Sequence, residues 1–252
     1  MRIVDLSHAI EPTPAEYPDF LRVEVAYADH AAGATLYETI FSVPPRLMRD
    51  GEGAAVEDLR LSTHSATHVD APWHYNSSID GAPAQTIDEL PLEWFFGPGV
   101  VVDAREKGEG EAVTVAEMRD GIAAAGHALA PGDIVLVRTG RDAFYHEPDY
   151  AARGCGVTPE ATRWLFEQGV RVMGIDGWSW DRPLHLQAQE AIARDEPGIF
   201  WGAHQVGLAY AQIERLTNLG AVPQTGFTVA CFPLKVKRGS AGPARVVAIL
   251  DR

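Results

Sequence analysis

The residues best suited to chemistry crowd into one short stretch. His64, His68, Asp70 and His74 fall within eleven positions of a chain that has nine histidines in all. Imidazoles with a carboxylate make a borderline-to-hard donor set, suited to Zn²⁺, Mn²⁺ or Fe²⁺. Three protein ligands of this kind leave coordination positions open, as a catalytic ion requires. A regular helix does not explain the run, because Thr67 and Val69 are weak helix formers and Pro72 disfavours helical geometry at Ala71. A straight strand would hold residues 64 and 70 about 20 Å apart, whereas each donor atom must lie about 2 Å from a shared ion. The spacing therefore predicts a bend around Ser65-Ala66, then a short extended piece with His68 and Asp70 on one side. His74, beyond the stiff A-P-W step, is placed to carry a proton, since histidine titrates near neutrality. The plain alternative is four separate roles, surface histidines and a turn aspartate.

Such a site needs a scaffold, and the chain reads as α/β. Apolar runs predict strands at I-V-D-L near the start, 99–104, 133–139, 170–176, 227–232 and 244–250. Helical signals lie between them. Thr114 can cap V-A-E-M-R-D-G-I-A-A-A, with Glu117 as its capping-box partner. Thr158-Pro159 opens a second helix, which Gly169 can close. Strands alternating with helices argue for an α/β domain. Segment 10–60, rich in Pro, Gly and acidic residues, reads as loops with short strands, an arm, a lid or an ordinary edge. With no repeat, low-complexity tract or long linker, one domain over 1–252 is the expectation.

Composition narrows the function classes. A hydrophobic fraction of 46% over 252 residues supports a substantial core. Asp plus Glu outnumber Lys plus Arg 35 to 21, and the net charge of −14 disfavours nucleic acid and anionic membranes as partners. No run of about 18 apolar residues is present to span a bilayer, and the opening M-R-I-V-D-L-S-H lacks a signal-peptide apolar stretch. A cytoplasmic location is the expectation. Cys155 and Cys231 cannot form a secreted-type disulfide framework. There is no G-x-S-x-G elbow, no Walker motif, and no third glycine in the two G-E-G stretches.

Residues 64–74, H-S-A-T-H-V-D-A-P-W-H, resemble the H-S-G-T-H-x-D-x-P-x-H signature of the cyclase-like metal-dependent hydrolases, the family of bacterial kynurenine formamidases and isatin hydrolases. I-V-D-L-S-H at 3–8 looks like its opening strand. V-M-G-I-D-G-W-S-W-D at 172–181 is similar to its G-x-D-x-x-S-x-D segment. His204, E-R-L-T-N-L at 214–219 and the closing C-F-P-L-K-V-K-R-G-S-A-G-P-A-R-V-V-A-I resemble its last motifs. Ala66 stands where the family has glycine; if that glycine has positive φ, Ala66 implies a different turn or stored strain.

The resemblance implies a swivelling β/β/α domain with a mixed sheet core and flanking helices. It also implies His64, His68 and Asp70 as ligands of a first divalent ion, Zn or Mn. His74 would be the general acid/base or a ligand of a second ion. His204 and Glu214 would complete that second position or orient the attacking water, so one or two ions per subunit remain open. Asp176 is either a neighbour of the ligands or a structural turn aspartate. Trp73, Trp178, Trp180 and Trp201 flank these motifs and suggest an aromatic-lined pocket for a small planar substrate. The implied activity is hydrolysis of an amide, lactam, lactone or ester by a homodimer or homotetramer. A metal-dependent lyase or cyclase, or a non-catalytic metal or small-ligand binder, is the alternative.

Overall fold

The computed structural model describes residues 1–14, 17 and 19–250. They divide into two compact units, Met1–Ala9 with Ala66–Arg252, and Ile10–Ser65.

The larger unit is built on a nine-stranded mixed sheet. In chain order its strands are β1 (Arg2–Asp5), β2 (His68–Asp70), β3 (Phe96–Asp103), β4 (Ile134–Arg138), β5 (Val172–Ile175), β6 (Ala211–Glu214), β7 (Phe227–Ala230), β8 (Ala241–Pro243) and β9 (Val247–Leu250). Across the sheet they run β1-β9-β7-β3-β4-β5-β6-β2-β8. The centre, β3-β4-β5-β6, is parallel, and every other pairing is antiparallel.

The central strands are apolar runs because both of their faces are buried. Val101, Ile134, Leu136 and Val172 point into one core with Phe95, Leu216, Phe227 and Val229. Their alternates Val100, Val102, Val135, Val137, Met173 and Ile175 point into the other, against Met118, Ile122, Ala161, Leu165 and Trp180. Gly99 serves the first core: a Cβ there would lie 2.2 Å from the Phe227 ring. Helices α3 (Val115–Ala124) and α4 (Pro159–Glu167) start as the sequence predicts. Thr114 and Glu117 form the reciprocal capping box, and Thr158 caps Ala161 ahead of Pro159. Gly169, at φ +92°, follows the end of α4.

The unit Ile10–Ser65 coincides with the compositionally distinct stretch. It pairs Glu24–Ala28 with Val56–Arg60 as an antiparallel ribbon. It also carries a twelve-residue helix, α1 (His30–Phe41), capped by Asp29, where only loops and short strands were expected. Gly33 allows this helix to meet the chain at Ala54, whose carbonyl oxygen would lie 2.1 Å from a Cβ. Tyr27, Leu36, Ile40, Phe41, Leu47, Val56 and Leu59 remain exposed. No helix among the described residues is long and apolar enough to cross a membrane.

Leu136, fully buried at the middle of β4, tests the core. Leu136→Ala should cost about 2–5 kcal/mol, the usual range for emptying such a position. Urea unfolding measures it; a midpoint equal to wild type would contradict the packing described.

Candidate metal centre

The sheet register assembles the centre. β6 pairs with β2 so that Glu214 lies opposite His68 and Gln212 opposite Asp70. Side chains alternate across a strand, so these four share one face while Val69, Ala211 and Ile213 enter the core behind them. All three residues of β2 are buried, because β8 covers its other edge. The bend expected at Ser65-Ala66 is present. Ala66 has φ +51°, a left-handed conformation that costs a non-glycine residue roughly 1–2 kcal/mol.

That turn aims the His68 imidazole. The Ala66 carbonyl lies 2.9 Å from His68 Nδ1, so Nδ1–H is the donor and Nε2 turns to the opposite side. There Nε2 meets Asp70 Oδ1 at 3.3 Å and Glu214 Oε2 at 3.7 Å. Ligand atoms of His68, Asp70 and Glu214 all lie within 4.8 Å of one another, and all three residues are buried. Two buried carboxylates this close are costly without positive charge between them. An imidazole and two carboxylates are a donor set that a divalent ion fits.

His74 sits on the one-turn helix α2 (Pro72–Tyr75) with Pro72 at its start. The half-buried His74 ring meets the Trp201 ring edge-on at 5.0 Å and lies 6.1 Å from that of His204. His64 belongs to the Ile10–Ser65 unit, where its backbone N–H donates to Ser62 Oγ at 3.2 Å.

His204 is enclosed on several sides. Its Nδ1 lies 2.6 Å from Asp181 Oδ2. Asp181 also accepts the backbone N–H groups of Ala203 and His204. Trp201 stacks on the ring at 4.7 Å, and Nε2 is 3.3 Å from Glu214 Oε1. Burial alone would favour the neutral ring, but Asp181 and Glu214 outweigh it and raise His204 to about 10. For Glu214, burial pushes the carboxyl up, and the bond with His204 together with the charges of His204 and His68 outweighs it, so the net shift is downward.

One placement differs from what the motifs suggested. Trp180 was expected to line a pocket, yet its ring is fully enclosed and its indole N–H donates to Thr162 Oγ1 at 2.9 Å. Its backbone N–H instead holds Glu214 Oε1 at 3.0 Å. Trp178 lies under the Arg215 guanidinium, and Trp73 is largely exposed. The Trp201 ring packs on the imidazoles of His74 and His204. Asp176 accepts from Thr139 N–H, Thr139 Oγ1–H and Gly140 N–H and so fixes that turn. Burial raises Asp176 to about 6 despite those bonds. Asp181 and Gln212 were not singled out from sequence. The last aspartate of G-I-D-G-W-S-W-D was a usable signal for Asp181; Gln212 had none.

A mixed α/β sheet that converges a buried imidazole and two carboxylates at one strand pair defines a metal-centre scaffold. Residues 4–182 match the Cyclase family model, described as "Putative cyclase", and the chain belongs to that family. It is 26% identical over 250 residues to the kynurenine formamidase of Salinibacter ruber (strain DSM 13855 / M31), covering 98% of this chain and 97% of the relative. It is 29% identical over 202 residues to the kynurenine formamidase of Erythrobacter litoralis (strain HTCC2594), covering 79% of each. Among solved structures, isatin hydrolase A from Labrenzia aggregata, bound to benzyl benzoate, superposes with a TM-score of 0.77 at 26% identity. That match covers 100% of this chain and 94% of the other.

The left-handed Ala66 supplies a direct stability test. Ala66→Gly should raise stability by about 0.5–1 kcal/mol, because the strain removed exceeds the roughly 0.4–1 kcal/mol of extra unfolded-state entropy. A thermal melt reads the change; a lower Tm for the glycine variant would contradict strain at this turn.

Proposed function

We propose that the protein is a metal-dependent hydrolase cleaving the C–N bond of an amide or lactam, or the C–O bond of an ester or lactone, in a small aromatic substrate. The observation that carries this reading is the convergence of His68, Asp70 and Glu214 within 4.8 Å in a buried site. Kinship with proteins named kynurenine formamidase and isatin hydrolase supports both the reaction class and the aromatic substrate. The proposed cofactor is a divalent ion, Zn or Mn, held by His64, His68 and Asp70 with Glu214. When bound, such an ion polarises a carbonyl oxygen and lowers the pKa of water.

The chain's own groups do the rest. Asp70 and Glu214 supply the negative charge that retains the ion. His74 takes a proton from water as it adds to the carbonyl carbon, then returns it to the leaving nitrogen or oxygen. Trp201, stacked on His204 and edge-on to His74, offers a flat apolar wall to an aryl group. We further take the protein to be a cytoplasmic homodimer or homotetramer. The exposed apolar side chains of Ile10–Ser65 are surface that self-association would cover.

Two measurements test this. Elemental analysis should find divalent metal in the wild type and much less in His68→Ala and Asp70→Asn; equal content in folded variants would remove the site. With metal saturating, His74→Ala should lower kcat by about 10²–10⁴ on a panel of aryl formamides, lactams and lactones, the range for losing a general acid/base. In labelled water the carboxylate product should gain one labelled oxygen; an unlabelled carboxylate would indicate a lyase.

A further inference from the structure

The two oxygens of Glu214 face different neighbours. Oε1 accepts the Trp180 backbone N–H at 3.0 Å and the Gln212 carboxamide at 2.8 Å, and it lies 3.3 Å from His204 Nε2. Oε2 turns the other way, 3.7 Å from His68 Nε2. A carboxylate oxygen offers about two lone-pair sites, so Oε1 is fully engaged. His204 is engaged as well. Its Nδ1–H donates to Asp181 and its Nε2–H faces Glu214 Oε1, with the Gln212 amide nitrogen packed 2.9 Å from Nε2.

Gln212 is the common element. Its side chain is fully buried, and it stands opposite Asp70 on the face that carries His68 and Glu214. Its orientation is set by Glu214, whose carboxylate only accepts and so takes the NH₂ group, 2.8 Å away. Gln212 Oε1 then faces the Tyr210 hydroxyl at 3.0 Å, which also lies 3.0 Å from the Ala203 carbonyl oxygen. An amide nitrogen carries two hydrogens and no acceptor, so it can hold Glu214 Oε1 in place but cannot ligate a cation.

We infer that Gln212 is a positioning residue of the metal centre. It fixes Glu214 so that Oε2 alone faces His68 and Asp70, and it fills the space beside His204 Nε2 and Glu214 Oε1. His204 is thereby kept out of the ligand set and acts, with Asp181, as a buttress behind Glu214. This rests on the metal-centre reading above and sharpens it, because the resemblance alone had implied His204 as a ligand.

Cobalt separates the possibilities, since the visible absorption of bound Co²⁺ reports its ligands. The full chain, stripped with a chelator, is titrated with Co²⁺. His204→Asn should bind as many equivalents as wild type with the same absorption bands, whereas Asp70→Asn should lose binding. Gln212→Ala should keep the stoichiometry, shift the bands and bind Co²⁺ about 10–100-fold more weakly, the usual effect of removing a ligand's hydrogen-bond partner. Should Gln212→Ala not fold, Gln212→Asn, which withdraws the same amide by one methylene, should weaken and shift in the same direction. A lower stoichiometry in His204→Asn, or wild-type affinity in the folded Gln212 variant, would overturn the inference. Wild-type protein that takes up no Co²⁺ would instead overturn the metal-centre reading on which it rests.

Discussion

Two carboxylates, Asp70 and Glu214, are buried face to face on neighbouring antiparallel strands, with the His68 imidazole beside them. Coulomb repulsion in so poorly solvated a place cannot be relieved by water. It demands a positive charge between the oxygens or a network that disperses the negative one. The surroundings do the second. The backbone N–H of Trp180 and the amide of Gln212 disperse charge on one oxygen of Glu214, and the other oxygen is left toward His68 and Asp70. The rest of the unit exists in the form it does because this strand pair must be held in register. A slip of one residue would send His68, Asp70, Gln212 and Glu214 into the apolar core and bring Val69 and Ile213 to the site.

The scaffold explains how that register is kept. β2 is only three residues long, yet it is pinned between β6 and β8. It is anchored below by Val69 in a core shared with β3, β4 and β7. On the opposite face, Tyr210 and Trp180 pack with the helices while their polar groups reach inward to Gln212 and Glu214. Core packing and site geometry are therefore the same contacts seen from two sides. Trp180, whose ring fills the core, also delivers through its backbone the N–H that orients a carboxylate.

What could be read in the sequence follows from this division. The bend at Ser65-Ala66 and the caps at Thr114 and Thr158 are local, and local chemistry is written in neighbouring residues. The central strands were legible because burial on both faces leaves unbroken apolar runs. Gln212 and Asp181 were not legible, because their meaning comes from partners that only folding brings near: Gln212 reads as an ordinary polar residue in a strand until β6 lies against β2. Trp180 misled for the same reason, since proximity in sequence to a site does not say which way a ring points. Helix α1 was missed although Asp29 offered a capping signal, because the surrounding Pro, Gly and acidic residues suggested loops.

The most direct test of a cation between the buried carboxylates is a crystal of the purified protein measured at the zinc and manganese absorption edges. The predicted result is an anomalous peak that has His68 Nε2, Asp70 and Glu214 Oε2 among its ligands, with His204 still held by Asp181. Well-ordered density for all three side chains, with no anomalous peak among them even after soaking in the metal, would contradict it.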